Sequence, residues 1–166
     1  MHCSHSWWGS RVRQFRAHLR ANVRPEERAA LVAWISPTQL ELFDSMHVAD
    51  RRHGLDVVAS LRAEGVTEPD VLVAGLLHDT GKGRTGIWPR VAYTLGQRYG
   101  RWVWRVTAVL PGFGPALERL RTHAETSATL AARAGCSARA VELIRQQDDP
   151  NDPEFGELLR LADEAN

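Results

Sequence analysis

The chain has 166 residues, of which 43% are hydrophobic and 25% charged, the size and balance of one globular domain with its own core. A formal net charge of +1 excludes a strong overall field, so bulk electrostatics point neither to nucleic acid nor to an anionic membrane. Cys3 and Cys136 match no metal or redox spacing, and neither an apolar leader nor a run of about eighteen apolar residues occurs, so a thiol-reduced, cytoplasmic protein without a membrane partner is expected.

Taken in chain order, "MHCSHSWWGS" (1–10) lacks periodicity and reads as a loose N-terminus, with Trp7 and Trp8 available to dock on the body. Helices are expected at 11–22, 25–35 and 37–46, together an N-terminal region packing on a core that spans 47–166. Within that core the pattern predicts helices at 48–64, 68–80, 87–99, 101–110, 115–134, 137–147 and 153–165. Pro25, Pro37 and Pro153 stand where first turns begin, Ser36 and Asp152 precede two of them as N-caps, and Thr67 with Asp70 has capping-box spacing. Gly65 and Gly135 fall where helices should stop. The connections are short, "GKGRTG" (81–86) and "PGFGP" (111–115) being the clearest breaks. Period-two alternation is absent, and the fold expected is an all-α, single-domain helical bundle.

One stretch raises a chemical question. In "VLVAGLLHDTGK" (71–82), Val71 to Leu77 is apolar all round, the mark of a central helix, yet it ends in His78 and Asp79. A buried, unpaired carboxylate costs several kcal/mol, so a cation or strong donors must lie beside it. A metal would satisfy both residues at once. Other inward-facing donors are at hand: His53 shares a row with Val57 and Leu61, Asp163 with Phe155 and Leu159, and His123 lies on the Leu120 side of its helix. Each alone is more often a hydrogen-bonded core histidine or an arginine-paired carboxylate than a ligand. The only lysine, Lys82, follows Asp79 by three; it is either a phosphate contact or a solvated cation at a helix end. Arg51 and Arg52, just before His53, are candidates for a phosphate clamp or ordinary surface charges.

In order, His53, then "LLHDTGK" twenty-five residues on, then His123 heading an alanine-rich helix, then "LLRLADEAN" with Asp163, resembles the HD-domain superfamily of metal-dependent phosphohydrolases. The resemblance begins near Asp50 and leaves the first 45 residues uncovered. It implies an HD-like helical core holding a divalent metal through His53, His78, Asp79 and Asp163. Two imidazoles and two carboxylates suit Mn, Fe, Co or Ni better than Zn, with Mg admissible, and an octahedral shell would keep positions open for water and a phosphoryl oxygen. The implied activity is hydrolysis of a small phosphorylated compound such as a nucleotide. Asp79 then orients or deprotonates water, His123 acts on the substrate or a proton, and Lys82, Arg51 and Arg52 bind phosphate.

The chain departs from the pattern at "LIRQQDDP", where Gln146 and Gln147 occupy the place of a histidine pair that supports a second metal in dinuclear members. An amide is a poor ligand for a transition metal, which favours a mononuclear phosphohydrolase over a dinuclear phosphodiesterase. The alternative from another class is a non-catalytic HD module that binds metal or nucleotide as a sensor or interaction protein. Acidic residues are interleaved with the arginines and no recognition motif occurs, so a nucleic-acid partner is not expected.

Overall fold

The structure, a computed structural model, describes residues 21–166. The expected loose segment 1–10 and nearly all of the helix expected at 11–22 lie outside the described residues. Ten α-helices and one 3-10 turn follow, with no strand among the described residues: α1 Pro25–Leu31, α2 Pro37–Ser45, α3 Val48–Ala63, α4 Pro69–Leu77, the 3-10 turn Thr80–Lys82, α5 Ile87–Tyr99, α6 Trp102–Thr107, α7 Phe113–Arg121, α8 His123–Arg133, α9 Ala138–Arg145 and α10 Gly156–Ala165. The chain forms an all-α bundle, as its pattern predicts. No described helix is long and apolar enough to cross a membrane.

Helix α4 is the axis. Every residue from Val71 to Leu77 is buried, because α3, α9, α10 and α2 surround it. Burying each of its large aliphatic side chains contributes about 1.5–3 kcal/mol. The same core takes in Leu31 and Ile35 beside α1 and Phe43 of α2, so residues before 47 are part of one hydrophobic interior. Helices α3 and α4 approach closely at Gly54, where a Cβ would stand 2.5 Å from the Leu76 carbonyl oxygen. That contact sets His53 of α3 against the end of α4.

Local signals explain most boundaries. Ser36 accepts from the Gln39 amide and caps α2, Pro25 and Pro37 sit in the first turns of α1 and α2, and Gly65 and Gly135 end helices at φ +86° and +77°. Three expectations need correction. The helix expected at 115–134 is two, broken at Thr122, whose hydroxyl donates back to the Glu118 carbonyl and competes with the helical ladder. Helix α10 begins at Gly156 because Asp152 accepts from the Glu154 and Phe155 amides and caps a turn through Pro153. The Thr67–Asp70 capping box does not form; Glu68 occupies the N-cap position of α4 without a side-chain cap.

Candidate metal centre

Four elements converge at the end of α4. His53 comes from the middle of α3, His78 is the C-cap of α4, Asp79 precedes the 3-10 turn, and Asp163 lies on the last turn of α10. The inward row His53–Val57–Leu61 and the row Phe155–Leu159–Asp163 carry these donors in with the apolar residues; Val57 and Leu61 are fully buried and Leu159 nearly so. On the opposite side of α10, Arg160 pairs with Glu157 at 2.6 Å and with Glu164.

One donor atom each from His53, His78 and Asp163 lies within 4.8 Å of the other two. His53 Nε2 is 2.7 Å from Asp163 Oδ1, and His78 Nε2 is 3.2 Å from the same oxygen. Asp79 is not one of this trio but borders it, with Oδ1 3.4 Å from His78 Nε2 and 3.9 Å from His123 Nε2. Its other oxygen, Oδ2, accepts from Lys82 Nζ at 2.5 Å. Lys82 is thus first of all the partner of Asp79, on the spacing that one 3-10 turn provides.

The positions of the neighbouring protons matter as much as the distances. His78 Nδ1 lies 2.9 Å from the Gly75 carbonyl and His123 Nδ1 2.8 Å from that of Leu120, so each ring donates there and turns its Nε2 toward Asp79. Two atoms in this cluster, His78 Nε2 and Asp79 Oδ1, are buried and make no hydrogen bond. Both residues are only 2% exposed. A lone pair and a carboxylate oxygen facing each other in a dry interior are mutually repulsive unless a proton or a cation stands between them. The electrostatics agree with that reading. Burial opposes a charge on His78, but Asp79 and Asp163 outweigh it and hold its pKa up at about 9. Burial likewise works against the Asp79 and Asp163 carboxylates, yet His78 beside both, with Lys82 beside Asp79 and the His53 hydrogen bond to Asp163, holds them well below the ordinary carboxylate range. His123 shifts the other way, lowered by burial and by Lys82. The cluster is a place that favours positive charge.

The donor set fits a divalent transition metal: two imidazoles and Asp163 within reach of one centre, Asp79 Oδ1 beside it, and supporting contacts that fix each ring.

Other residues singled out by sequence fare differently. Arg52 is engaged by Glu27 and Asp56, both at 2.7 Å, and Arg51 lies 3.8 Å from Asp44. The expected clamp residues are therefore committed to carboxylates of α1, α2 and α3, which sequence adjacency to His53 could not reveal. Gln146 bonds to Glu142, whereas Gln147 is buried and donates to the His78 carbonyl at 3.3 Å. Three supports escape sequence reasoning. Ser127 Oγ accepts the Gly81 amide at 2.8 Å and holds the turn to α8. Asp50, buried one turn before His53, takes both its oxygens to Arg90 at 2.6 and 2.7 Å, and Arg90 also donates to the Thr85 carbonyl. Asp50 and Arg90 are forty residues apart, and no local signal links them.

Compared with protein-family models, with curated proteins and with solved structures, the chain matches none.

Proposed function

We propose that this protein is an HD-like, metal-dependent phosphohydrolase with a single divalent metal, acting on a small phosphorylated compound such as a nucleotide. The observation that carries the reading is the pair of buried, unbonded atoms, His78 Nε2 and Asp79 Oδ1, facing the donors of His53 and Asp163. These four residues would hold the ion, with Mn, Fe, Co or Ni favoured over Zn and Mg admissible. When bound, such an ion supplies Lewis acidity toward a phosphoryl oxygen and lowers the pKa of water.

The chain's own groups divide the remaining work. Lys82 fixes Asp79 through Oδ2, so Oδ1 stays aimed at the cluster and is available to orient water. His123 Nε2, bare because Nδ1 donates to Leu120, is an acceptor at the edge of the site and can hold a substrate hydroxyl or receive a proton. An open cleft of about 440 Å³, lined by His47, Val48, Arg84, Thr85, Gly86 and Ile87, borders the loop after Lys82 and offers a cationic side chain to a phosphate.

The test is elemental mass spectrometry on protein purified without an affinity tag or chelator, beside Asp79→Ala and His78→Ala. The expected result is about one transition metal per chain, reduced at least ~100-fold in affinity in either variant, a larger loss than supporting residues cause. Phosphate release from phosphorylated metabolites should then require the metal. Metal without turnover, with nucleotide binding retained, would turn the reading to the sensor module. No metal even after reconstitution would remove the metal centre altogether.

A further inference from the structure

Charge is segregated along this chain. From Thr80 to Leu117 there is no aspartate or glutamate, while Lys82 and five arginines (Arg84, Arg90, Arg98, Arg101 and Arg105) fall inside that stretch. The remaining residues hold fifteen basic and all twenty acidic groups; Lys82 and Arg90 are taken up by Asp79 and Asp50, which leaves Arg84, Arg101 and Arg105 exposed in a stretch that has no acid of its own.

The same stretch bears most of the exposed large apolar side chains among the described residues. Tyr99, Trp102, Val106, Val109 and Leu110 are 47–81% exposed, with Val109 at the upper limit. Trp102 and Val106 are one turn apart on α6, and Val109 and Leu110 continue in the turns after it. Arg101 and Arg105 precede them at the same interval, exposed and without an ion pair to any described residue. Helix α6 buries none of its residues. It is held from behind by Trp104, whose ring stacks on Tyr93 at 5.4 Å and whose Nε1 donates to the Tyr93 carbonyl, over a seat kept clear by Gly96, while the exposed Trp102 donates its Nε1 to the Tyr99 carbonyl. The exposed side chains are thus presented by a fixed element.

We propose that this face docks on an anionic lipid surface. Each component has a place there: valine and leucine side chains enter the boundary between headgroups and acyl chains, Trp102 and Tyr99 sit at headgroup level, and the arginines meet phosphates and acidic headgroups. Other occupants use only part of the surface. An isologous second copy would set Arg101 and Arg105 against their own equivalents. Residues 1–20 carry four arginines and no acid, so they repel the patch as well. A nucleic acid would use the arginines and aromatic rings but leave Val106, Val109 and Leu110 wet. The absence of a membrane-spanning helix bears on crossing a bilayer, not on lying against one.

The experiment is co-sedimentation of the full chain with vesicles of phosphatidylcholine alone and of phosphatidylcholine with phosphatidylserine, at two salt concentrations. Binding is expected to the anionic vesicles only, and to weaken with salt. Arg101→Glu with Arg105→Glu, and separately Val106→Ser with Val109→Ser, should each lower the partition coefficient about tenfold or more. All these side chains are exposed, so circular dichroism and metal content should match the parent protein. Binding to neither vesicle, equal binding to both, or binding unaffected by both double variants overturns the proposal. So does a single-stranded oligonucleotide, or a dimer seen by sedimentation, that depends on these residues while vesicles are ignored. Because metal content is read separately, failure here leaves the metal centre untouched, and loss of the metal centre leaves this face intact.

Discussion

Helices α4 and α6 are written in a similar apolar alphabet, "PDVLVAGLL" against "WVWRVT", and meet opposite fates. Seven consecutive residues of α4 are buried, and none of α6 is. The difference lies in the neighbours. Four helices close around α4, whereas α6 has α5 and α7 as its principal neighbours, and no residue from 78 to 127 joins the main hydrophobic core. Apolar composition therefore specifies burial only where other elements supply the far wall; where they do not, the same composition is a surface waiting for a partner. Charges repeat the contrast. Around the core, arginines are matched with carboxylates, as in Arg28 with Asp44 and Arg145 with Glu125. Along α6 they are not.

One joint between the two regions is the pair of half-buried Arg90 on α5 and buried Asp50 on α3, and breaking it is the largest effect expected. Arg90→Met leaves Asp50 buried without its partner, which costs about 3–5 kcal/mol, and frees the Thr85 carbonyl as well. Urea unfolding should register that loss, and Asp50→Asn added to Arg90→Met should recover a good part of it. If the single variant were as stable as the parent, the pair would not be what ties the outer helices to the core.

This pair also marks the limit of what the sequence could disclose. The convergence of the candidate donors was legible because helical periodicity places a residue on a face, and His53, His78 and Asp163 each share a face with buried aliphatics. The bond between Lys82 and Asp79 is not read from their spacing, which leaves Lys82 as a phosphate contact or a solvated cation; the buried Asp79 takes it instead. Partnerships across helices were not legible either. Nothing near Arg52 announces that Glu27 will reach it, and nothing near Asp50 announces Arg90. The break at Thr122 was hidden for a different reason: it uses a hydroxyl bonding back to Glu118 instead of glycine or proline, the breakers whose presence can be read directly. The cluster of His53, His78 and Asp163 was thus visible as a set of faces, and its supporting contacts only as a structure.

A smaller perturbation separates the two regions from the core side. Gly54→Ala would put a Cβ 2.5 Å from the Leu76 carbonyl oxygen, backbone that cannot swing aside, so α3 must move away from α4. Even after alanine's better helix propensity is allowed for, a net loss of about 1–3 kcal/mol is expected. Because His53 adjoins Gly54 and His78 follows Leu76 by two, the same shift parts two of the proposed metal donors, and affinity for the ion should fall about tenfold or more, measured by titration with Mn or Co. Unchanged affinity in a destabilised variant would mean that the donors tolerate the displacement and that the close crossing serves packing alone.

The matching perturbation on the outer side is Gly96→Ala. Here the new Cβ would fall 1.8 Å from Trp104 Nε1, but the obstacle is a side chain, so the ring can leave its seat. What is lost is the stack on Tyr93 and the hydrogen bond to its carbonyl, worth together about 1–2 kcal/mol, and the loss is confined to a segment outside the main core. Metal content should therefore equal that of the parent, while tryptophan emission shifts to the red as Trp104 becomes wetter. Vesicle binding should weaken too, although no residue of the docking face has been altered, since α6 no longer has an anchor to hold Trp102 and Val106 outward. A variant that lost metal along with its emission shift would show that the outer helices and the metal centre answer to one another, and the division drawn between α4 and α6 would have to be given up.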